Sequence, residues 1–220
     1  MNPVDLRVYA LLDPKRAGSR SLPEIAALIA PATTLVQLRD KHGSTRAVVE
    51  AARAIRAVLA PARVPLLIND RVDVALAAGA DGVHIGQDDM DAADARRLLG
   101  PAAIVGLSLK TIAQANAAPI AHLDYVAIGG VFVTQSKDNP DLPVGLDGFR
   151  AILAAVRRRA PSLPVTAIAG IDAGNAASII AAGADGVAVI SALSLAGDPA
   201  QAARDLRTIV DGAMAKRSSR

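Results

Sequence analysis

The sequence of 220 residues has no cysteine, no tryptophan, two tyrosines and two phenylalanines. Without cysteine, disulfide bonds and thiolate metal ligands are excluded. With so few aromatic rings to stack on bases, the net charge of +3 does not predict a nucleic-acid partner. No apolar run approaches the ~20 residues that cross a bilayer, and residues 1–15 do not resemble a signal peptide. We therefore predict a cytoplasmic protein that binds neither nucleic acid nor membrane.

Small and branched aliphatic residues are abundant, and they occur in an alternating order. Short runs rich in Val, Ile and Leu alternate with longer Ala-rich segments of helical period along the chain. Because most short runs are continuously apolar, they indicate parallel strands that are covered by helices. The predicted strands are 7–12, 35–39, 65–69, 82–86, 104–108, 125–129, 165–170 and 186–191.

Successive strand–helix units with right-handed crossovers close into a barrel of about this size. We predict an α/β fold, a (β/α)₈ TIM barrel, as a single domain over residues 1–214, with a basic disordered tail at 215–220. The seventh and eighth helices are expected near 172–182 and 199–213. The alternative is a doubly wound open sheet, which is disfavoured because the phosphate-type glycines lie late in the chain and not after the first strand.

The heptapeptide AAGADGV occurs twice, at 77–83 and at 181–187. Each copy is interpreted as a helix-to-strand turn, before the fourth and the eighth strand. Sites in this barrel form at the carboxyl ends of the strands. Functional residues are therefore expected directly after each strand and not in the repeat.

Charged side chains follow several predicted strands. Asp70 and Asp89 follow the third and fourth strands, and such hard oxygen ligands suit a Mg²⁺ ion completed by phosphate oxygens. Arg39, Lys41 and Lys137 bring positive charge from different loops, as a pyrophosphate group requires. The alternatives are a helix N-cap for Asp70, and solvated surface charges for the cations, with Arg39 paired to the adjacent Asp40.

A second anion site is predicted later in the chain. Gly170 precedes the seventh helix, and Ile190 and Ser191 end the eighth strand before the eighth helix, so that backbone N–H groups there can hold one phosphate. His84 lies inside the fourth strand and is interpreted as a structural side chain. No Ser/His/Asp arrangement or histidine metal cluster is recognised.

The chain resembles the thiamine-phosphate synthase family from Tyr9 to about Ile209. The resemblance is carried by LINDRVDVALAAGADGVHIGQDD, and by the shorter VQLRDK, IVGLS, TQSK, IAGI and GADGVAVIS in that order. It implies a (β/α)₈ barrel that joins hydroxymethylpyrimidine pyrophosphate to thiazole phosphate and releases pyrophosphate, with Mg²⁺ as cofactor. Two features depart from the family pattern: Lys110 replaces a common histidine, and residues 129–134 read GGVFVT.

Roles are implied by the resemblance through matching position. The residues implied to bind the pyrimidine pyrophosphate are Gln37, Arg39, Lys41, Asn69, Ser108 and Lys137. Of these, the implied catalytic set is Arg39, Lys41, Ser108 and Lys137. Asp70 and Asp89 are implied to hold Mg²⁺. Those implied to bind the thiazole phosphate are Thr134, Ser136, Gly170, Ile190 and Ser191.

The implied mechanism is dissociative: the cations and Mg²⁺ stabilise the departing pyrophosphate, and the thiazole nitrogen attacks a pyrimidinylmethyl cation without a general base. Two other functions stay open, a sister thiazole tautomerase and a non-catalytic barrel that binds a phosphorylated intermediate. A homodimer also stays open.

Overall fold

Apolar runs of four to six residues form the eight strands of a closed parallel barrel, in which neighbouring strands follow chain order and the last pairs with the first. The computed structural model describes residues 4–134 and 142–219. The strands are β1 (Val8–Leu12), β2 (Leu35–Leu38), β3 (Leu66–Asn69), β4 (Gly82–Ile85), β5 (Ile104–Leu109), β6 (Tyr125–Ile128), β7 (Val165–Ile168) and β8 (Gly186–Val189). The predicted barrel is confirmed, and the open doubly wound sheet is excluded.

Helices connect the strands and cover the outside of the barrel. Their bounds are α1 (Leu22–Ile29), α2 (Thr45–Leu59), α3 (Val72–Ala78), α4 (Ala92–Leu99), α5 (Ile112–Ala117), α6 (Gly145–Arg159), α7 (Ala176–Ala181), α8 (Ser191–Ser194) and α9 (Pro199–Ser218). Local sequence starts several of them: Ser21 and Glu24 form a capping box at α1, which satisfies two backbone donors of the first turn. Among the described residues, no helix combines the length and the apolar character needed to cross a membrane.

Three helical features differ from the prediction. Helix α7 begins at Ala176, later than expected, because Asp172 and Asn175 form a turn: the Asp172 N–H donates to Asn175 Oδ1 over 3.1 Å. Helix α8 is an additional four-residue helix directly after β8. Helix α9 continues to Ser218, and the disordered tail expected from residue 215 is therefore helical over 215–218.

Tertiary contacts explain the ordered end of α9. The Arg217 guanidinium donates to the carbonyl oxygen of Ala184 over 2.6 Å and to that of Ile180 over 3.2 Å. The same side chain lies 3.4 Å from Asp185 Oδ1. These partners lie at the end of α7 and in the turn before β8, so the half-buried basic residue anchors the last turn of α9 to the barrel.

Apolar packing occurs in two regions. The larger lies between the helices and the outer face of the barrel, and the smaller fills the barrel interior. The interior includes the only two tyrosines, Tyr9 and Tyr125, both buried. Gly106 on β5 pairs in register with Tyr125 on β6, and a Cβ atom at Gly106 would lie 2.1 Å from Tyr125 Cζ. The glycine therefore provides the space that the buried ring occupies.

Both copies of AAGADGV form the turns before β4 and β8, as predicted. The aspartate of each copy has the same role. Asp81 Oδ2 accepts a hydrogen bond from the Leu66 N–H over 2.8 Å, and Asp185 Oδ2 accepts one from the Val165 N–H over 2.9 Å. Each carboxylate thus holds the start of the preceding strand, and the repeat lies at the amino ends of the strands.

Candidate active site

A cavity of about 970 Å³, including its open mouth, lies at the carboxyl ends of the strands. Eight of the residues predicted from the sequence line it: Gln37, Arg39, Asn69, Ser108, Thr134, Gly170, Ile190 and Ser191. Lys110 and Gly130 also line it, so two of the positions that depart from the family pattern belong to the cavity wall. Ser136 and Lys137 lie outside the described residues.

A charged cluster lies next to the cavity. It consists of Asp70, Asp89 and Lys41, and Asp70 directly follows the cavity-lining Asn69. Lys41 Nζ lies 3.0 Å from Asp70 Oδ2, and Asp89 Oδ2 accepts a hydrogen bond from the Gly86 N–H over 2.7 Å. Burial raises the pKa of the Asp89 carboxyl, and the nearby Asp70 adds to that increase. The loops after β2, β3 and β4 therefore bring all three predicted residues together.

Asp70 does not cap the following helix. The N-cap of α3 is Arg71, which makes no side-chain capping bond, so the N-cap interpretation is wrong. The backbone of Asp70 has a φ of +64°, a left-handed conformation that costs roughly 1–2 kcal/mol for a residue with a Cβ atom. Strain of this kind is retained where the surroundings enforce it, often at functional sites.

The cluster fits a hard divalent cation. Two carboxylates held close together repel each other. After burial, which is the largest cause, the nearby Asp70 contributes to the raised pKa of Asp89, and a cation between the two would relieve the repulsion. In the described part of the chain no group of three or more His, Cys, Asp or Glu residues is placed to hold a metal. Two carboxylates match Mg²⁺, which takes one or two from the protein and completes its coordination with water and phosphate oxygens.

Arg39 is held by a carboxylate that the sequence analysis missed. The Arg39 guanidinium donates to Asp13 Oδ2 in a close ion pair, and Asp13 is 4% exposed. Asp40, the partner considered from the sequence, instead accepts from the backbone N–H groups of His42 and Gly43. The sequence signal for this pair was the position of Asp13 directly after β1. Because β1 and β2 are neighbours, Asp13 lies next to Arg39, which directly follows β2.

The other side of the cavity is built from backbone. Ala169 and Gly170 have successive positive φ angles of 93° and 65°, and a Cβ at Gly170 would lie 2.4 Å from the Val133 carbonyl oxygen. Only glycine fits this close approach between the loops after β6 and β7. The Phe132 N–H also donates to the Ala169 carbonyl over 3.1 Å. Ile190 and the first residue of α8, Ser191, line the same cavity.

A chain of hydrogen bonds crosses the barrel interior, and four of its five side chains line the cavity. Gln37 Nε2 donates to Tyr9 Oη, which lies 2.9 Å from Tyr125 Oη. Tyr125 Oη lies 2.8 Å from His84 Nδ1, and His84 Nε2 lies 2.8 Å from Ser108 Oγ. His84 is thus a buried structural side chain, as predicted. The two tyrosines were not predicted as site residues, although their isolated positions inside predicted strands were a visible signal.

Opposite ends of the cavity therefore differ chemically. One end has cationic side chains and a carboxylate pair, and the other has tightly packed backbone with the first turn of a short helix.

A family model described as thiamine monophosphate synthase matches residues 8–193. The chain belongs to the thiamine monophosphate synthase family.

Curated relatives in this family match over nearly the whole chain. A thiamine-phosphate synthase from Agrobacterium fabrum is 54% identical over 218 residues, which cover 99% of each chain. A thiamine-phosphate synthase from Chloroflexus aurantiacus is 46% identical over 208 residues, which cover 94% of each chain. The expected membership of the thiamine-phosphate synthase family is confirmed, and the protein is an enzyme of the transferase class.

Solved structures agree with this membership. A thiamine phosphate pyrophosphorylase from Pyrococcus furiosus has a TM-score of 0.81 and 32% identity, over 96% of this chain and 98% of that one. A 3-hexulose-6-phosphate synthase has a TM-score of 0.66 with 18% identity. This second similarity concerns the barrel fold alone.

Proposed function

We propose that this member of the thiamine monophosphate synthase family joins hydroxymethylpyrimidine pyrophosphate to thiazole phosphate and releases pyrophosphate. One observation carries the proposal: a charged cluster of Lys41, Asp70 and Asp89 lies beside the cavity. Arg39 lines the cavity on the same side. A pyrophosphate substrate needs such a group of cations and metal-binding carboxylates. A barrel that binds only a single phosphate does not.

The leaving pyrophosphate is proposed to lie against Arg39 and Lys41, joined by Lys137, which follows β6 in the sequence. Arginine is suited to this role because its planar fork matches two phosphate oxygens. Asp70 and Asp89 would hold Mg²⁺, which when bound supplies positive charge to the phosphate oxygens. The ion pair with Asp13 orients Arg39 before the substrate arrives.

The pyrimidine ring is proposed to lie on Gln37, with Asn69 and Ser108 on the same wall. Gln37 is 1% exposed, and its Oε1 has no hydrogen-bond partner among the described residues. A buried acceptor without a partner costs about 1–3 kcal/mol. The exocyclic amino group of the pyrimidine is a donor that satisfies it.

The thiazole phosphate is proposed to lie at the opposite side, with its phosphate on Gly170, Ile190 and Ser191. Helix N-termini and closely approaching glycine backbone suit one phosphate group. Thr134 lines the cavity next to these residues, and Ser136 would join it from the adjoining segment.

The proposed reaction is dissociative. The bond between the methylene carbon and the pyrophosphate oxygen breaks, and its electron pair leaves with pyrophosphate. The thiazole nitrogen then forms the new bond to the pyrimidinylmethyl cation. Since the nitrogen attacks with its lone pair, no proton must be removed. Arg39, Lys41 and Lys137 stabilise the developing negative charge, and the cavity aligns the two rings.

An assay with both substrates and Mg²⁺ tests the proposal by measuring pyrophosphate and thiamine phosphate together. Equal amounts of the two products, and none when either substrate is omitted, support it. Isomerisation of a thiazole carboxylate phosphate without pyrophosphate release would instead identify a tautomerase. Binding of both substrates with no product would identify a non-catalytic barrel.

A cytoplasmic location, a homodimer and the absence of a nucleic-acid partner remain predictions from the sequence.

A further inference from the structure

Five side chains form an unbroken hydrogen-bond chain from one wall of the cavity to another: Gln37, Tyr9, Tyr125, His84 and Ser108. Only the two ends of this chain, Gln37 and Ser108, have a role in the proposed function. The three middle side chains are at most 7% exposed. Tyr9 and His84 line the cavity beside Gln37 and Ser108, whereas Tyr125 does not, so Tyr125 acts on a ligand only through its neighbours in the chain.

The orientation of the Gln37 amide sets the direction that we infer for this chain. Because the amide nitrogen of Gln37 donates to Tyr9 Oη, the single Tyr9 proton is available for Tyr125. If Tyr9 donates that proton to Tyr125, then Tyr125 donates to His84 Nδ1, the histidine proton lies on Nε2, and Nε2 donates to Ser108 Oγ. The Ser108 proton then points away from His84. Burial raises the pKa of Tyr9 and of Tyr125, so each phenol keeps its one proton.

We propose that Tyr9, Tyr125 and His84 are positioning residues that couple the hydrogen-bond role of Gln37 to that of Ser108. While the Gln37 carbonyl faces the cavity as an acceptor, Ser108 offers a donor there. If the amide rotates by half a turn, every proton in the chain reverses and Ser108 becomes an acceptor. The inference rests on the proposed function, because the pyrimidine substrate is the ligand expected to contact both ends.

This coupling has a consequence for substrate choice. A ligand amino group that donates to Gln37 fixes the direction in which Ser108 donates to an acceptor on the same ligand. An analogue with hydrogen in place of that amino group loses the contact at Gln37 and the fixed donor at Ser108 as well. The chain therefore makes the recognition of an aminopyrimidine cooperative across the cavity.

The first test needs no substrate. Nitrogen-15 NMR of the ligand-free enzyme above pH 8 reports which ring nitrogen of His84 carries the proton. We expect a single Nε2–H tautomer in the wild type and a mixture of tautomers in Tyr125→Phe, which removes only one oxygen. The signals of His42 and His122, assigned with His→Gln variants, should not change between the two proteins. A wild-type Nδ1–H tautomer, or identical His84 signals in both proteins, overturns the proposal.

The second test is a double-mutant cycle on binding of the pyrimidine pyrophosphate with Mg²⁺, measured by calorimetry. Gln37→Met and Ser108→Ala are made singly and together, with Tyr125 intact and with Tyr125→Phe. With Tyr125 intact, the change in Kd of the double variant should differ from the product of the two single changes by about fivefold or more. In the Tyr125→Phe background, the two should agree within about twofold. Additivity in both backgrounds, or equal coupling in both, refutes the relay. If pyrophosphate release is absent but the tautomer result stands, only the proposed function fails.

Discussion

Substituting Gly106 by alanine tests whether the barrel interior is packed around Tyr125. The added methyl would lie 2.1 Å from Tyr125 Cζ and 2.4 Å from Tyr125 Oη, and the ring of Tyr125 is fully buried. Overpacking costs about 1–3 kcal/mol. Displacing the ring also breaks its hydrogen bonds to Tyr9 and His84, at about 1 kcal/mol each. We expect a loss of about 3–5 kcal/mol in the free energy of unfolding.

Thermal and urea unfolding measure this loss. For a chain of this size the melting temperature should fall by roughly 6–20 °C. Gly212→Ala is the matched control, because Gly212 lies in α9 with nothing within 4 Å of its added Cβ. It should raise stability by about 0.5–1 kcal/mol through helix propensity. If Gly106→Ala is as stable as the wild type, the Tyr125 ring does not lie against Gly106.

Three further predictions concern the site and the last helix. Asp13→Asn removes the charge that holds Arg39, so kcat/KM for the pyrimidine substrate should fall about tenfold in the pyrophosphate assay; an unchanged value contradicts the orienting role. Asp89→Asn should raise the Mg²⁺ concentration for half-maximal rate by about tenfold or more, and an unaltered Mg²⁺ titration argues against a metal ligand there. Arg217→Ala should lower the free energy of unfolding by about 1–3 kcal/mol, whereas Lys216→Ala should change it by no more than about 0.5 kcal/mol. Equal losses in the two variants would show that Arg217 does not anchor α9 to the barrel.

Hydrophobic periodicity predicted the alternating strands and helices, and the late position of the phosphate-type glycines favoured the barrel over the open sheet. The alternation of apolar strands and Ala-rich helices depends on local sequence, and so do turns such as the two copies of AAGADGV. The end of α9 was mispredicted because it depends on contacts distant in sequence. Basic residues at a chain end are typically solvated, but Arg217 lies beside the carbonyls of Ala184 and Ile180. That pairing results from how α9 packs on the barrel and not from its own sequence.

The site was partly predictable for a similar reason. Residues after strands meet at one end of a parallel barrel, so Arg39, Asp70 and Asp89 could be grouped from their positions alone. Their partners could not be assigned, because the choice between Asp13 and Asp40 for Arg39 depends on side-chain geometry across two strands. The strained φ of Asp70 likewise results from packing that no local pattern reports.

The central claim is that one end of the cavity acts on a metal-bound pyrophosphate while the other holds a single phosphate. The most direct test compares the wild type with Asp70→Asn/Asp89→Asn in single-turnover pyrophosphate release, with thiazole phosphate binding measured in parallel. We predict that the double variant loses release by about 100-fold or more and binds thiazole phosphate within about twofold of the wild type. Release at the wild-type rate, or an equal loss of thiazole phosphate binding, would contradict this division of the cavity.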